Sequence, residues 1–304
     1  MKEWLGEACP PAPRGIGDDA AVLPASADEN LLFTNDSLVW NRHFDFSTDP
    51  GDAGAKLLKR NLSDIGAMGG RPKYALLAIA CGGNLSIGWL EKFFGGLGDT
   101  ARRYGCEING GDLSAAESDS FISSLAMIGT AKRPIPRTGG ANGSWIWITG
   151  SLGGSILGQH LHFIPRIEEG AWLSERPEVM AAMDITDGLA VDLPFMIPDG
   201  LQAQLDLSFI PVSDAARATS QDTGKSAIWH SFSDGEDYEL VFFTDPSTDP
   251  TAFESLWKKN FPSTPLAPVG TLNEIHSLNP KRSPKVAGLD GEALFPYEGF
   301  EHFA

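Results

Sequence analysis

Two adjacent aspartates, Asp18 and Asp19, stand behind a Gly-Ile-Gly turn and ahead of an apolar run in GIGDDAAVL. Carboxylates held about 4 Å apart repel by about 4 kcal/mol at a surface-like effective dielectric, so a site that gathers them needs a counter-charge. A divalent cation supplies one. Aspartate beside glycine, serine or threonine at the end of an apolar run recurs at Asp36 in LLFTNDS, Asp64 in NLSDIGAMGG, Asp112 in NGGDLS, and Asp184 and Asp187 in MDITDGL. Each places a short carboxylate at a strand end or helix start, where the backbone bends around a ligand. Any one alone reads as a helix cap or turn residue. Together they read as hard oxygen ligands, which select Mg²⁺ or Ca²⁺ over zinc. No spacing matches an EF-hand loop, so the expectation is magnesium that keeps waters and bridges to phosphate oxygens, and hence phosphoryl chemistry on a nucleotide.

The familiar nucleotide motifs do not carry that chemistry. TSQDTGKS holds Gly224-Lys225-Ser226, but Thr219 stands where a phosphate loop needs glycine and no strand leads into it. GIGDDA and GLGDTA both satisfy G-x-G-x-x-A. The second lies within a helical pattern, and the first is acidic where a pyrophosphate would approach. His160 and His162 in QHLHF share a face if that segment is a strand, yet no third metal ligand stands nearby.

The elements that must position these residues follow from periodicity. LLFTND, YALLAIA and FISSLAMIGT read as strands, and Leu58, Leu62 and Ile65 mark an amphipathic helix over residues 52–68. On that helix Asn61, Asp64 and Met68 share a face beside the apolar stripe. Leu90, Phe93, Phe94, Leu97, Ala101 and Tyr104 mark a second helix between the later two strands. The breaker-rich KRPIPRTGGANG is the expected domain boundary, giving domains over residues 1–135 and 136–304. Beyond it WIWITG, EVMAAMD and YELVFF read as strands, SLGGSILGQHL and DGLAVDLPFMI as helices, and the tail from Pro262 as irregular. The expected class is α/β (α+β) in two domains.

Composition narrows the partners. The chain of 304 residues has a formal net charge of −17, from 40 acidic and 23 basic residues, which argues against nucleic-acid and anionic-membrane surfaces. Cys9, Cys81 and Cys106 form no CxxC pair and suggest neither a disulfide framework nor a zinc site. With no long apolar run and no signal-peptide core, the expectation is a soluble cytoplasmic protein.

In order and spacing, GIGDDAAVL, TNDSLV…HF, NLSDIGAMGG, NGGDLS, RTGG…WIWITGSLGGS, MDITDGL, DGEDYELVF and YEGFEHF resemble the thiamine-monophosphate kinase family across essentially the whole chain. That family is related to aminoimidazole ribonucleotide synthetase and selenophosphate synthetase. The resemblance implies ATP-dependent phosphorylation of thiamine monophosphate to thiamine diphosphate by direct in-line transfer with several Mg²⁺ ions. It implies an N-terminal α/β domain that dimerises through its sheet into a homodimer, and a C-terminal α/β domain that completes a cleft. Carried over by motif, Asp19, Thr34, Asn35, Asp36, Asp64, Asp112, Asp184 and Asp187 match metal-ligand positions. Tyr104, Gly111, Asp112, Arg137 and Thr186 match ATP contacts, and His43, Glu236 and Phe300 match positions that hold the acceptor. Asp112, Asp36 and Arg137 are the expected catalytic group.

Three departures accompany the resemblance. Fourteen residues precede the Gly-Ile-Gly turn, fewer than the family carries, which suggests a shortened N-terminus. Trp40, Asn41 and Arg42 replace a Glu-Gly pair, with an expected effect on the acceptor pocket, and Thr34-Asn35 replaces Ser-Thr. The alternatives are another ATP-using enzyme of the superfamily with a changed acceptor, or a non-catalytic nucleotide- and magnesium-binding homologue.

Overall fold

The structure is a computed structural model that describes residues 18–24, 28–45, 47–83, 85–117, 120–275 and 285–289. They fall into two compact units. The first draws on Met1–Pro134 and Leu161–Ala171, the second on Ile135–His160 and Trp172–Ala304.

The first unit is a five-stranded sheet in the order β1-β2-β5-β3-β4, with β1 Ala21–Pro24, β2 Asn30–Val39, β3 Arg71–Gly82, β4 Glu107–Ala116 and β5 Phe121–Ala131. Two helices of 18 residues each, α1 (Pro50–Ala67) and α2 (Ile87–Tyr104), cover one face. Both begin where the sequence stops them fraying. Asp49 accepts the Gly51 N–H ahead of Pro50, and Ser86 accepts the Trp89 N–H, each satisfying a donor the first turn leaves open. Gly105, with φ 66°, closes α2 in the left-handed conformation. Leu32, Leu38, Leu57, Leu58, Leu62, Ile65, Phe93 and Leu125 are buried together between helices and sheet, each contributing about 1.5–3 kcal/mol of apolar burial. The helices cross at glycine: a Cβ on Gly96 would stand 1.9 Å from the Gly51 carbonyl oxygen, and one on Gly54 2.0 Å from that of Phe93.

β4 is absent from the expected order of strand, helix, strand. It pairs in parallel with β3 and so makes β3, α2 and β4 one crossover unit. Its ten residues are all exposed, so EINGGDLSAA has no alternation of apolar and polar residues to announce a strand.

The chain continues through two short helices, α3 (Gln159–His162) and α4 (Ile167–Ser174). Within the first unit the buried Lys59 donates to the carbonyls of Leu161 and Phe163 at 2.5 and 3.2 Å, tying this returning segment to α1. The second unit holds a six-stranded sheet in the order β11-β8-β10-β6-β9-β7. Its strands are β6 Trp145–Thr149, β7 Val179–Asp184, β8 Leu201–Leu205, β9 Leu240–Thr244, β10 Leu266–Glu274 and β11 Val286–Gly288, and its further helices are α5 Leu189–Met196, α6 Asp214–Thr223, α7 Ala227–Ser233 and α8 Pro250–Asn260. Ile146, Ile148, Leu189, Leu193, Met196, Val241 and Phe243 form its core.

Two expectations are corrected here. SLGGSILGQHL is not one helix, because Gly153, Gly154 and Gly158 all have positive φ and leave only a 3₁₀ turn at Ser155–Leu157 before α3. The tail from Pro262 is not irregular throughout, since β10 occupies an interior position of the sheet between β6 and β8. No helix among the described residues is long and apolar enough to cross a membrane.

Candidate functional site

In the first unit the candidate residues collect where β2 meets α1. Thr34 and Asp36 alternate with the buried Leu32 and Leu38, so all four face the helices. The Thr34 hydroxyl donates to Asp64 on α1, in a short contact. Asn61, fully buried one turn earlier, accepts the Asp36 backbone N–H at 3.2 Å. Arg60 reaches the Asp36 carboxylate at 3.3 Å, a cation that sequence reasoning missed although it lies four residues before Asp64. Asp19 stands two residues ahead of β1, whose Ala21 pairs with Phe33, and so lies toward the Thr34–Asp36 end of β2. The oxygen donors are carboxylates and a hydroxyl, a set that suits a hard cation.

Asn35 points the other way. Its side chain accepts from the Ser124 hydroxyl at 2.9 Å on the opposite face, which leaves its backbone oxygen as what it would offer a cation beside Thr34 and Asp36. Asp112 is likewise not brought to Asp36 within one chain. The row through Asp36 runs by Leu125 and Leu77 to Gly111, placing β2 and β4 three strand spacings apart, about 14 Å. Asp112 itself pairs with the exposed Ala78, next to the buried Leu77, and accepts from the Ser114 hydroxyl at 2.8 Å. Gly111 has its φ at 159°, and a Cβ there would sit 1.7 Å from the Leu77 carbonyl oxygen.

His43 closes the turn after β2, its Nδ1 accepting the Val39 N–H at 3.0 Å and its carbonyl held by the fully buried Lys56 at 2.9 Å. In the Trp40 to Arg42 stretch, the Trp40 ring packs on Phe44 and Trp89, with centroids 5.3 and 5.9 Å away, beside the core aromatic cluster. Asn41 takes φ 57° in the turn, and Arg42 is exposed. Tyr104 lies at the end of α2 with the Arg103 guanidinium 5.6 Å from its ring centre, and burial raises its phenol pKa.

In the second unit Asp184, Thr186 and Asp187 lie at the end of β7 and in the turn before α5. Asp184 is buried. The segment Gly235–Tyr238 is hydrogen-bonded to this turn: Glu236 N–H donates to the Thr186 carbonyl at 2.7 Å and Tyr238 N–H to that of Ile185 at 2.9 Å. Glu236 and Tyr238 both hold φ 53°, and the Tyr238 hydroxyl donates to Glu236 Oε1 at 3.1 Å. Arg137 lies in a bend just after Pro136, whose carbonyl accepts the Ala182 N–H of β7 at 3.0 Å. Phe300 lies outside the described residues.

Buried acids that the sequence reading did not single out stand behind this turn. Asp192 Oδ2 accepts the N–H groups of Thr186 and Asp187 at 2.8 and 2.9 Å, while burial, then the Asp187 charge, push its pKa well above the carboxylate range. Asp237 is pushed the same way by burial, against the hydrogen bond it accepts from the Gly153 N–H at 2.7 Å. A signal for Asp192 existed: it follows DGLAV as the one acidic residue of an otherwise apolar helix.

The other motifs have structural roles. GLGDTA lies inside α2, and TSQDTGKS is the end of α6, closed by Gly224 at φ 71°. His160 is buried and bonded to the Ser155 carbonyl at 2.8 Å, and His162 is exposed, 3.9 Å from Asp52. Cys81 and Cys106 carry free thiols. Among the described residues no group of three His, Cys, Asp or Glu side chains is close enough to hold a metal by itself. Magnesium commonly takes one or two carboxylates and completes its shell with phosphate and water, and the oxygen donors on β2 and α1 fit that use.

Comparison with known proteins adds to this geometry. Residues 17–131 match the family described as AIR synthase related protein, N-terminal domain. The chain is 34% identical over 299 residues to the thiamine-monophosphate kinase of Rhodopirellula baltica, covering 95% of this chain and 90% of that protein. It is 32% identical to the thiamine-monophosphate kinase of Salmonella typhimurium, covering 95% and 92%. Among solved structures it is similar to AaThiL complexed with AMPPCP and TMP, with a TM-score of 0.79 and 26% identity over 95% of this chain and 92% of that one. It is also similar to thiamine-monophosphate kinase from Stenotrophomonas maltophilia, with a TM-score of 0.74 and 28% identity over 92% and 91%.

Proposed function

The chain belongs to the thiamine-monophosphate kinase family, and from that premise we propose that it transfers the γ-phosphoryl group of ATP to thiamine monophosphate, yielding thiamine diphosphate and ADP. The observation that carries this reading is the similarity, over 95% of the chain, to a structure that holds an ATP analogue together with TMP. Donor and acceptor are both anionic phosphates, so charge repulsion dominates the barrier and positioning does most of the catalysis.

The residues divide the work by chemistry. Asp36, Asp64 and the Thr34 hydroxyl, with Asp19 nearby, would hold magnesium in the first unit, and Asp184 and Asp187 would do so in the second. Magnesium held there would supply positive charge against the phosphate oxygens of donor and acceptor. Tyr104, Gly111, Asp112, Arg137 and Thr186 contact ATP, with Arg137 offering a two-pronged guanidinium to phosphate. His43 and Glu236 orient the acceptor, and Phe300 supplies an aromatic face. No strong general base is required, because the attacking phosphate oxygen is already ionised.

The assembly is a homodimer formed through the first sheet. What supports it is the sheet face away from α1 and α2, where Phe33, Tyr74, Leu76 and Ile122 are 36%, 49%, 56% and 49% exposed. Asn35 and Asp112 lie on that face, among these apolar residues. The reaction belongs in the cytoplasm, in keeping with the free thiols of Cys81 and Cys106.

The test is anion-exchange chromatography of the protein incubated with ATP, Mg²⁺ and thiamine monophosphate, with thiamine and selenide as parallel acceptors. Equal amounts of ADP and thiamine diphosphate, formed only with the monophosphate, are expected. ADP formed with another acceptor, or none at all, overturns the reading.

A further inference from the structure

Asp192 is 1% exposed and has no part in the ligand set described above. Its Oδ2 receives two convergent donors, the Thr186 and Asp187 N–H groups. Its own N–H donates to the Gly188 carbonyl at 2.9 Å, closing the turn from the helix side. From the other side, Glu236 and Tyr238 donate to the carbonyls of Thr186 and Ile185. Gly188 has φ 102°, and a Cβ there would lie 2.7 Å from the Phe232 carbonyl oxygen, so the turn has no room for a side chain at this position. The peptide from Ile185 to Gly188 is thus gripped through its carbonyls by the loop that carries Glu236 and Tyr238 and through its amides by one carboxyl oxygen. Without that acceptor two half-buried N–H groups lose their partner, and the turn is free to rotate toward others.

We infer that Asp192 is a positioning residue, which fixes the turn so that Thr186 and Asp187 face nucleotide and metal in a single arrangement. The inference rests on the reading above that this turn binds magnesium-bound ATP. Asp192 contacts only the backbone of the turn, so its effect falls on the nucleotide and not on the acceptor. What the turn requires is an oxygen acceptor at this place, which an amide also supplies.

The test measures binding by titration calorimetry, with Mg²⁺ and AMPPCP in one series and thiamine monophosphate in another. Asp192→Leu is expected to weaken the nucleotide by about 10-fold or more, the loss of hydrogen bonds to a buried acceptor, with thiamine monophosphate within about two-fold. Asp192→Asn, whose amide oxygen accepts the same two donors, is expected to stay within about three-fold for both. If Asp192→Leu does not fold, Asp192→Ala removes the acceptor without adding a branched apolar group and carries the same expectation. Equal loss in the Asn and Leu variants, equal weakening of both ligands, or no change in either variant overturns the positioning role. Asp187→Asn separates the two levels. Nucleotide weakened there but not in Asp192→Leu leaves the site reading standing and removes Asp192; nucleotide unaffected in both removes the site reading with it.

Discussion

The backbone N–H of Glu236 donates to the carbonyl of Thr186 at 2.7 Å, joining a residue expected to face the acceptor to one expected to face the nucleotide. The bond holds Glu236 at φ 53°, a left-handed conformation that a non-glycine residue adopts only at a cost of about 1–2 kcal/mol. Two residues on, Tyr238 repeats the same φ, and its N–H donates to Ile185. The strained segment is therefore over-determined by its neighbours.

Tyr238 is buried and aims its hydroxyl at Glu236. Tyr238→Phe keeps the ring and removes that donor alone. The expected outcome is a rise of about 3- to 10-fold in KM for thiamine monophosphate, the size of one hydrogen bond to a carboxylate, with KM for ATP unchanged. Steady-state kinetics with each substrate varied in turn checks it, and parallel rises in both KM values would count against an orienting role for the hydroxyl.

Asp112 contributes little to the fold of a single chain, in which β4 is exposed along its length and the carboxylate accepts from the Ser114 hydroxyl, and asparagine keeps its size and that acceptor. Asp112→Asn is expected to reduce kcat by at least about 100-fold while the melting temperature stays within about 2 °C, as for a surface change. Activity close to that of the parent protein would take Asp112 out of the reaction.

The crossing of α1 and α2 predicts a change of the opposite kind. A methyl group on Gly96 would collide with backbone, not with a side chain that can swing aside. Gly96→Ala is expected to destabilise the protein by about 1–3 kcal/mol through forced separation of the helices, despite the better helix propensity of alanine. Urea unfolding monitored by circular dichroism measures it; a stability gain would show that the helices part freely.

Sequence patterning revealed the parts of the fold whose burial is periodic. The stripe of Leu58, Leu62 and Ile65 placed α1, and the alternation in FISSLAMIGT placed β5, because one face of each is core and the other is not. β4 has no such asymmetry, and β10 was hidden by Pro268 and Gly270, which sit at a register shift where the sheet tolerates them. In the site, aspartates beside turn residues were legible as a class. Their grouping was not: whether Asn35 joins Thr34 and Asp36 depends on strand parity, and whether Asp112 does depends on which strands are neighbours. Arg60 acts through a tertiary contact that its own sequence position does not specify, whereas Asp192 acts on the turn five and six residues before it and was marked by standing alone in an apolar helix.

Lys59 offers a pH test of how the returning segment is held. Its ammonium donates to two carbonyls, but burial outweighs the nearby Asp52 charge and lowers its pKa from 10.5 to about 8. Between those two values the unfolded chain binds a proton that the folded chain has released, so folding stability from this group rises with pH across the window. It is fully present only above the unfolded value and is lost as pH falls through about 8. The stability of the parent protein relative to Lys59→Met is therefore expected to increase from pH 8 toward pH 10.5. Urea unfolding of both proteins at several pH values gives that difference directly. A difference that stays flat, or falls, across the window would mean that the two carbonyls stabilise the ammonium enough to cancel its desolvation, and the segment would then be held by the charged form alone.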